Sequence, residues 1–257
     1  MTRSRIACLL LAAAGAARAQ TMLDQEERLI EIHSLLVAVG PLNAPGAYRN
    51  RELSLGLEVV GIPAIDGTTG GKRQFTASDR TPVYPRVRLA LGLPAPEDFR
   101  ASVGLAYIPP IQLWDVRSHL AALEAEIAYA PGPLAAGVRG HVLLARSTSP
   151  VTDPATRDTL DNFEFGANVA AGYRLDFAPA SVTPYVSIGL TRAVGIFRVT
   201  SDGYELTSRT TNPGLNAGVR LFARQRFEAV ADFAIFPGRL VHPSFRVAWM
   251  PEWLSRP

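Results

Sequence analysis

From Leu53 onward, polar and charged residues recur at every second position through the hydrophobic segments, opposite a lane of Leu, Val, Ile, Phe and Tyr. The run from Phe163 to Leu175 shows it best. Phe163, Phe165, Ala167, Val169, Ala171, Tyr173 and Leu175 share one face, and Glu164, Gly166, Asn168, Ala170, Gly172 and Arg174 share the other. A period of two is that of a β-strand. The run of thirteen residues is long for a soluble sheet, where strands are typically about five or six residues. It suits a tilted strand crossing a bilayer, which needs roughly 9–11 residues.

The first nineteen residues read as a secretion signal. Arg3 and Arg5 form a basic start, Ile6 to Ala14 an apolar stretch too short to span a membrane, and Ala17-Arg18-Ala19 a small-residue cleavage site before Gln20. The single cysteine, Cys8, falls in this signal, so the mature chain has no disulfide and no thiolate metal site. Removing Arg3, Arg5 and Arg18 also takes the formal charge from +3 to about zero, so the basic pI is poor evidence for nucleic-acid or anionic partners, and no nucleic-acid partner is expected. Hydrophobic residues make up 47% of the chain, yet no element reads as a buried helix or a continuously apolar strand. A barrel with lipid outside accommodates them, because its apolar face needs no second protein layer.

The expected organisation is a signal peptide over 1–19, a helix and linker over 20–50, a transmembrane β-barrel over 51–250 and a tail over 251–257. Asp24 followed by Glu27 resembles a capping box, and Leu29, Ile32, Leu36 and Val39 repeat at helical spacing until Gly40-Pro41. So apolar a stripe requires cover. A periplasmic helix under the barrel rim, a plug in the lumen and a docking helix for another envelope protein all meet that need. Ten strands are expected near 52–61, 86–93, 99–108, 119–129, 134–145, 162–176, 183–196, 213–224, 227–236 and 242–250; eight or twelve are the neighbouring possibilities. The parity of Leu120 disagrees with that of Leu123, which suggests a bulge in the fourth strand or a later start of it. Connections at one end are short, and three at the other are long and rich in Gly, Thr, Ser and Asp, the asymmetry of bacterial outer-membrane barrels. Aromatic residues including Phe99, Tyr107, Trp114, Tyr129, Phe163, Tyr173, Phe197, Phe227, Phe236, Phe245 and Trp249 lie near strand ends, as in interfacial girdles. Tyr185 is on the inward parity instead.

The alternation assigns Glu58, Arg86, Arg88, Arg100, Glu124, Glu126, Arg139, His141, Glu164, Asn168, Arg174, Asn216, Arg220, Glu228, Asp232 and Arg246 to the lumen. Opposite charges are nearly balanced there. Either the arginines fork onto carboxylates and fill the interior, or the groups line a water-filled selectivity path. About eight strands just enclose packed side chains, whereas open porins use about sixteen, so ten strands favour a filled lumen. Inward glycines such as Gly56, Gly92, Gly166, Gly172, Gly189 and Gly218 let long side chains pack at small radius.

No GxGxxG, P-loop, HExxH or GxSxG pattern occurs. Thr69-Gly70-Gly71-Lys72 lacks Walker spacing and reads as an outer loop. His242-Pro243-Ser244 resembles the H-x-S arrangement of outer-membrane lipid hydrolases, the phospholipase A and lipid A deacylase families. That resemblance implies Ser244 activated by His242, with Glu252 or Glu228 as its orienting group. The tripeptide alone supports it. No metal site or cofactor is expected.

Taken from about residue 52 to 250, the chain resembles the small bacterial outer-membrane β-barrels, in the broad OmpA-like and ten-stranded class. The resemblance implies an outer-membrane location, lipid contact, and insertion by the barrel-assembly machinery through a terminal aromatic residue. Trp249 or Trp253 would serve, although Leu254-Ser255-Arg256-Pro257 follow. Three functions are open: a non-enzymatic structural or scaffold barrel with a largely filled lumen, a narrow porin-like channel, or a lipid hydrolase.

Overall fold

The computed structural model describes residues 27, 30–35, 37–38, 40, 43–61, 83–113, 116–150, 155–201, 203–224, 226–237 and 240–251. The period-two segments form β1 (Leu53–Gly61), β2 (Val83–Leu93), β3 (Phe99–Leu113), β4 (Val116–Tyr129), β5 (Leu134–Ser149), β6 (Asp158–Tyr173), β7 (Leu175–Phe177), β8 (Ala180–Arg198), β9 (Glu205–Ala223), β10 (Phe227–Phe236) and β11 (Leu240–Trp249). Each long strand pairs antiparallel with its neighbours. β1 pairs with β11, and β6 pairs with β8, which closes the sheet. β7 only extends the β6–β8 hairpin through three pairs. The chain is therefore a closed barrel of ten long antiparallel strands, with no free edge.

Alternation decides which face each residue takes. On β6, Phe163, Phe165, Val169 and Tyr173 are exposed on the outside, while Asn162, Glu164 and Asn168 are buried inside. The same holds around the wall, where Leu57, Leu123, Ile127, Val138, Leu144, Val186, Ile188, Leu190, Val219, Phe233 and Val247 all point outward. A water-soluble monomer seldom exposes an apolar patch beyond a few hundred Å². An encircling apolar band of this kind is the lipid face of a transmembrane barrel. Phe99 and Tyr129 (ring centroids 5.3 Å apart), Tyr173, Phe177, Phe227 and Trp249 edge the band at the end with short connections, here called the inner end. The opposite, outer end includes the long connection over residues 62–82.

Several strands run further outward than the alternation predicts. β3 continues to Leu113, β4 starts at Val116, β5 reaches Ser149, and β9 starts at Glu205 rather than near 213. The physical reason is that apolar alternation marks a strand only where one face meets lipid. Beyond the bilayer, Arg117, Arg146, Asp161 and Arg209 are outward-facing and polar, and the pattern vanishes while the ladder persists. The expected bulge in the fourth strand is also corrected. The only register shift along the β3–β4 ladder is between Ile108 and Ile111, on β3, and β4 pairs regularly with β5. Leu120 points into the lumen, where it has an apolar partner that the alternation could not reveal.

That partner is the N-terminal segment. Helical residues within 27–37 lie inside the barrel, not beneath its rim. Ile30 packs on Leu160, Phe197 and Val199; Leu35 and Ala38 on Ala234 and Phe236; Val37 on Ala106, Ile108, Leu120, Ala122, Leu143 and Ala145. These wall residues all belong to the outer half. Phe197 and Phe236, expected in the aromatic girdles, are buried against the helix instead. The chain then descends. Gly40 lies near Asp232, Gly46 near Ala128 and Ala130, and the carbonyl of Arg49 sits so close to Gly92 that a Cβ there would be 1.7 Å away. After this the chain turns into β1.

Candidate functional site: the plugged lumen

An enclosed helix has carbonyl groups at its C-terminal end that no further turn can satisfy. Here arginines of the barrel wall fill that role. Arg86 Nη1 donates to the carbonyls of Ala38 (3.1 Å) and Val37 (3.4 Å). Arg88 Nη2 and Arg139 Nη1 both donate to the carbonyl of Gly40, at 3.4 and 2.6 Å. Positive charge at a helix C-terminus also complements its dipole. The three guanidinium groups are nearly inaccessible to water, and two carboxylates compensate them. Glu58 Oε2 lies 3.1 Å from Arg86 and 3.6 Å from Arg88; Glu124 lies 3.0 Å from Arg88 and 2.5 Å from Arg139. Together they form a chain, Arg86–Glu58–Arg88–Glu124–Arg139, drawn from four strands. His141 Nδ1 and Asn168 adjoin its far end at Arg139.

A second cluster holds the descending linker. Glu228 accepts from Asn43 Nδ2 (2.6 Å), Tyr48 OH (3.3 Å), Arg220 Nε (2.9 Å) and Arg246 Nη2 (2.7 Å). Glu126 Oε1 accepts from the Gly46 amide at 2.9 Å. Between the clusters, Tyr185 OH donates to Asp232 Oδ2 at 2.7 Å, with its ring over Gly218, where a Cβ would be 2.5 Å from the ring. Asn216 bonds Ser187 at 3.0 Å, and Glu164 accepts from Asn162 at 2.7 Å.

Fourteen of the sixteen residues assigned to the lumen by parity thus sit among these inward groups; Arg100 and Arg174 do not join them. Arg100 donates to the carbonyls of Glu97 and Phe99 at the inner rim. Arg174 is exposed past the end of β6 and pairs with Asp176 at 3.1 Å. Both are long side chains at a strand end, where parity persists but enclosure does not. Asn43, Tyr48 and the plug carbonyls were invisible to alternation because they lie outside the strands. Tyr185 carried a signal, its inward parity.

Of the partner-docking stripe, one residue is described. Ile32 is half-buried within the lumen, and Leu29, Leu36 and Val39 lie outside the described residues. The helix buries Ile30, Ser34, Leu35, Val37 and Ala38, so opposed faces are covered by the wall. His33 Nε2 lies 2.9 Å from Ser147 Oγ. Ser147 is thirteen residues from Leu134 at the inner end of β5, which puts His33 beyond the apolar band. Burial pushes the His33 imidazole down to about 4, against the opposing pull of the Asp161 carboxylate.

Among the described residues two small cavities, of about 10 and 30 Å³, lie in the lumen, the first beside Asn43, Tyr48 and Glu126, the second beside Gly40, His141 and Asn216. Each has room for about one or two waters. The His242 side chain is buried, with Nε2 lacking a hydrogen-bond partner, and Ser244 shares its inward parity. Glu228, one of the two orienting groups considered, is already bound on both oxygens. Glu252 lies outside the described residues.

No protein-family model and no curated protein matches this chain. Among solved structures it is similar to CdiB from Acinetobacter baumannii (10% identity, 77% of this chain and 38% of that one, TM-score 0.39). It is also similar to the translocator domain of the autotransporter NalP from Neisseria meningitidis (10% identity, 93% and 97%, TM-score 0.43) and to LpxR from Salmonella typhimurium (11% identity, 76% and 99%, TM-score 0.32). At these identities the likeness is one of fold alone.

Proposed function

We propose that this chain is a non-enzymatic bacterial outer-membrane barrel whose lumen is closed by its own N-terminal segment, and that it serves as a structural or scaffold component of the envelope. The observation that carries the reading is the capture of the plug carbonyls at residues 37, 38 and 40 by Arg86, Arg88 and Arg139. Arginines engaged in this way do not line an aqueous path. An apolar collar above them and linker contacts below narrow the lumen further, with cavities of about 10 and 30 Å³ among the described residues. Secretion by the signal over residues 1–19, insertion by the barrel-assembly machinery and an aromatic terminus at Trp249 complete this reading. Trp249 faces lipid at the inner end, as such a signal requires. Because the plug runs from the outer half of the lumen to the inner end and Glu27 near its start is exposed, an envelope partner would meet the plug at the outer mouth.

Planar-bilayer recording of the refolded mature protein tests closure. The expected trace is flat. Discrete current steps altered by Arg88→Ala or Glu126→Ala would replace this reading with that of a narrow channel. Lipid hydrolysis abolished by Ser244→Ala would replace it with that of an enzyme.

A further inference from the structure

The outward face has a feature that neither lumen nor plug uses. Arg117, Arg146, Asp161 and Arg192 face outward on β4, β5, β6 and β8. Each lies twelve residues along its strand from the inner-end residues Tyr129, Leu134, Tyr173 and Ala180, respectively. At about 3.3 Å per residue and a tilt of about 40°, twelve residues rise roughly 30 Å. An apolar band is about 25 Å tall, so these side chains stand together just above it. Arg209 follows on β9, fourteen residues from Ala223. Arg198 stands higher on β8 and pairs with Asp161 and, at 2.8 Å, with Glu205. Arg146 also pairs with Asp161 and keeps 53% of its side chain exposed. Arg117, Arg192 and Arg209 are exposed and make no ion pair among the described residues.

Five arginines therefore face two carboxylates on one arc of the wall. Among the described residues, β10, β11 and β1 end before this height, at Phe236, Leu240 and Gly61, so the arc described lies on one side of the wall. Adjacent strands are separated by about 6 Å around the circumference at this tilt, and the arc spans several such steps. Its chemistry suits an anion with more than one phosphate: guanidinium forks bind phosphate bidentately. Its height suits one source, a headgroup sitting directly on the apolar band.

We propose that this arc binds the phosphates of the outer-leaflet glycolipid, and so fixes a lipid shell on the β4–β9 side of the barrel. The proposal rests on the outer-membrane reading above. Asp161 is a positioning residue that holds Arg146 and Arg198 upright between the free arginines.

The mature protein is folded into phosphatidylcholine vesicles, alone or with bisphosphorylated lipid A, dephosphorylated lipid A, or phosphatidylglycerol at matched phosphate. The readout is the melting temperature of the barrel. Lipid A should raise it by several degrees and the other two additions should not. Arg146→Gln with Arg192→Gln should abolish the rise, while Arg100→Gln with Arg174→Gln, an equal charge change at the inner end, should preserve it. An equal rise with dephosphorylated lipid A or with phosphatidylglycerol, or a rise retained in the double variant, overturns the proposal. A chain that fails to insert into plain phosphatidylcholine overturns the membrane reading and the arc with it. A chain that inserts but does not respond to lipid A overturns the arc alone.

Discussion

Among the described glycines of the wall, Gly195 is where the plug helix comes closest. A Cβ added there would be 2.1 Å from Ile30 Cγ2 and 3.5 Å from Ile30 Cβ. Ordinary van der Waals contact begins at 3.4 Å, so Gly195→Ala forces movement of more than 1 Å. Ile30 has little means of yielding, because a β-branched side chain in a helix is nearly confined to one χ1 rotamer, and Leu160, Phe197 and Val199 surround it. Overpacking of this kind costs about 1–3 kcal/mol, which the plug must bear, since the strand is held by ladders on both sides. The affected equilibrium is local opening of the helix. Its probe is hydrogen exchange of the Ala38 amide, which donates to the Ser34 carbonyl at 3.1 Å. Exchange limited by that opening should accelerate about 5- to 150-fold. Ile30→Ala alone should also accelerate it, by leaving a cavity. In the double variant the new methyl occupies vacated space, so the two effects should be strongly non-additive, with a coupling of about 1–3 kcal/mol. Unchanged exchange in Gly195→Ala, or simple addition in the double variant, would refute the placement of the helix against β8.

Three further outcomes follow from the same arrangement. Glu124→Ala leaves Arg88 and Arg139 buried without their shared carboxylate and should lower barrel stability by about 3–5 kcal/mol, measured by urea unfolding in detergent; a loss below 1 kcal/mol would count against a dry cluster. The only cysteine of the whole chain is Cys8, so single cysteines report topology cleanly: Glu27→Cys and Ser201→Cys should react with an impermeant maleimide on intact cells, and Glu97→Cys only after the outer membrane is breached. Labelling of Glu27→Cys only after breaching would reverse the plug direction. Finally, His33 is held neutral with its folded pKa at about 4, below the ordinary 6.5. The unfolded or undocked state therefore binds a proton first, and docking should weaken as pH falls from about 6.5 towards 4; exchange at Ala38 that is equally slow at both ends of that window, or lost equally in His33→Gln, would contradict this.

The lipid face and the inward identity of groups such as Glu58, Arg88, Glu124, Glu164 and Arg246 could be read from residue order alone. Alternation with period two is a local property of the extended chain, and lipid against an enclosed polar axis turns it directly into outside and inside. Strand number was legible for the same reason. Where both faces of a strand become polar, above Arg117 or Arg146, or where an inward residue is apolar, as at Leu120, Leu143, Phe197 and Phe236, the pattern failed. Those residues answer to a partner more than a hundred positions away in most cases, the helix around Ile30, Leu35 and Val37. Its own stripe shows only that it needs cover and is indifferent to whether a rim, a partner or a lumen supplies it. Tertiary structure decided that question, because closure of ten strands creates a cavity whose apolar upper part and arginine-lined middle match a short helix ending in unsatisfied carbonyls. The charge pairing was decided in the same way: Glu58 and Glu124 meet their arginines through strand register, which no single strand encodes.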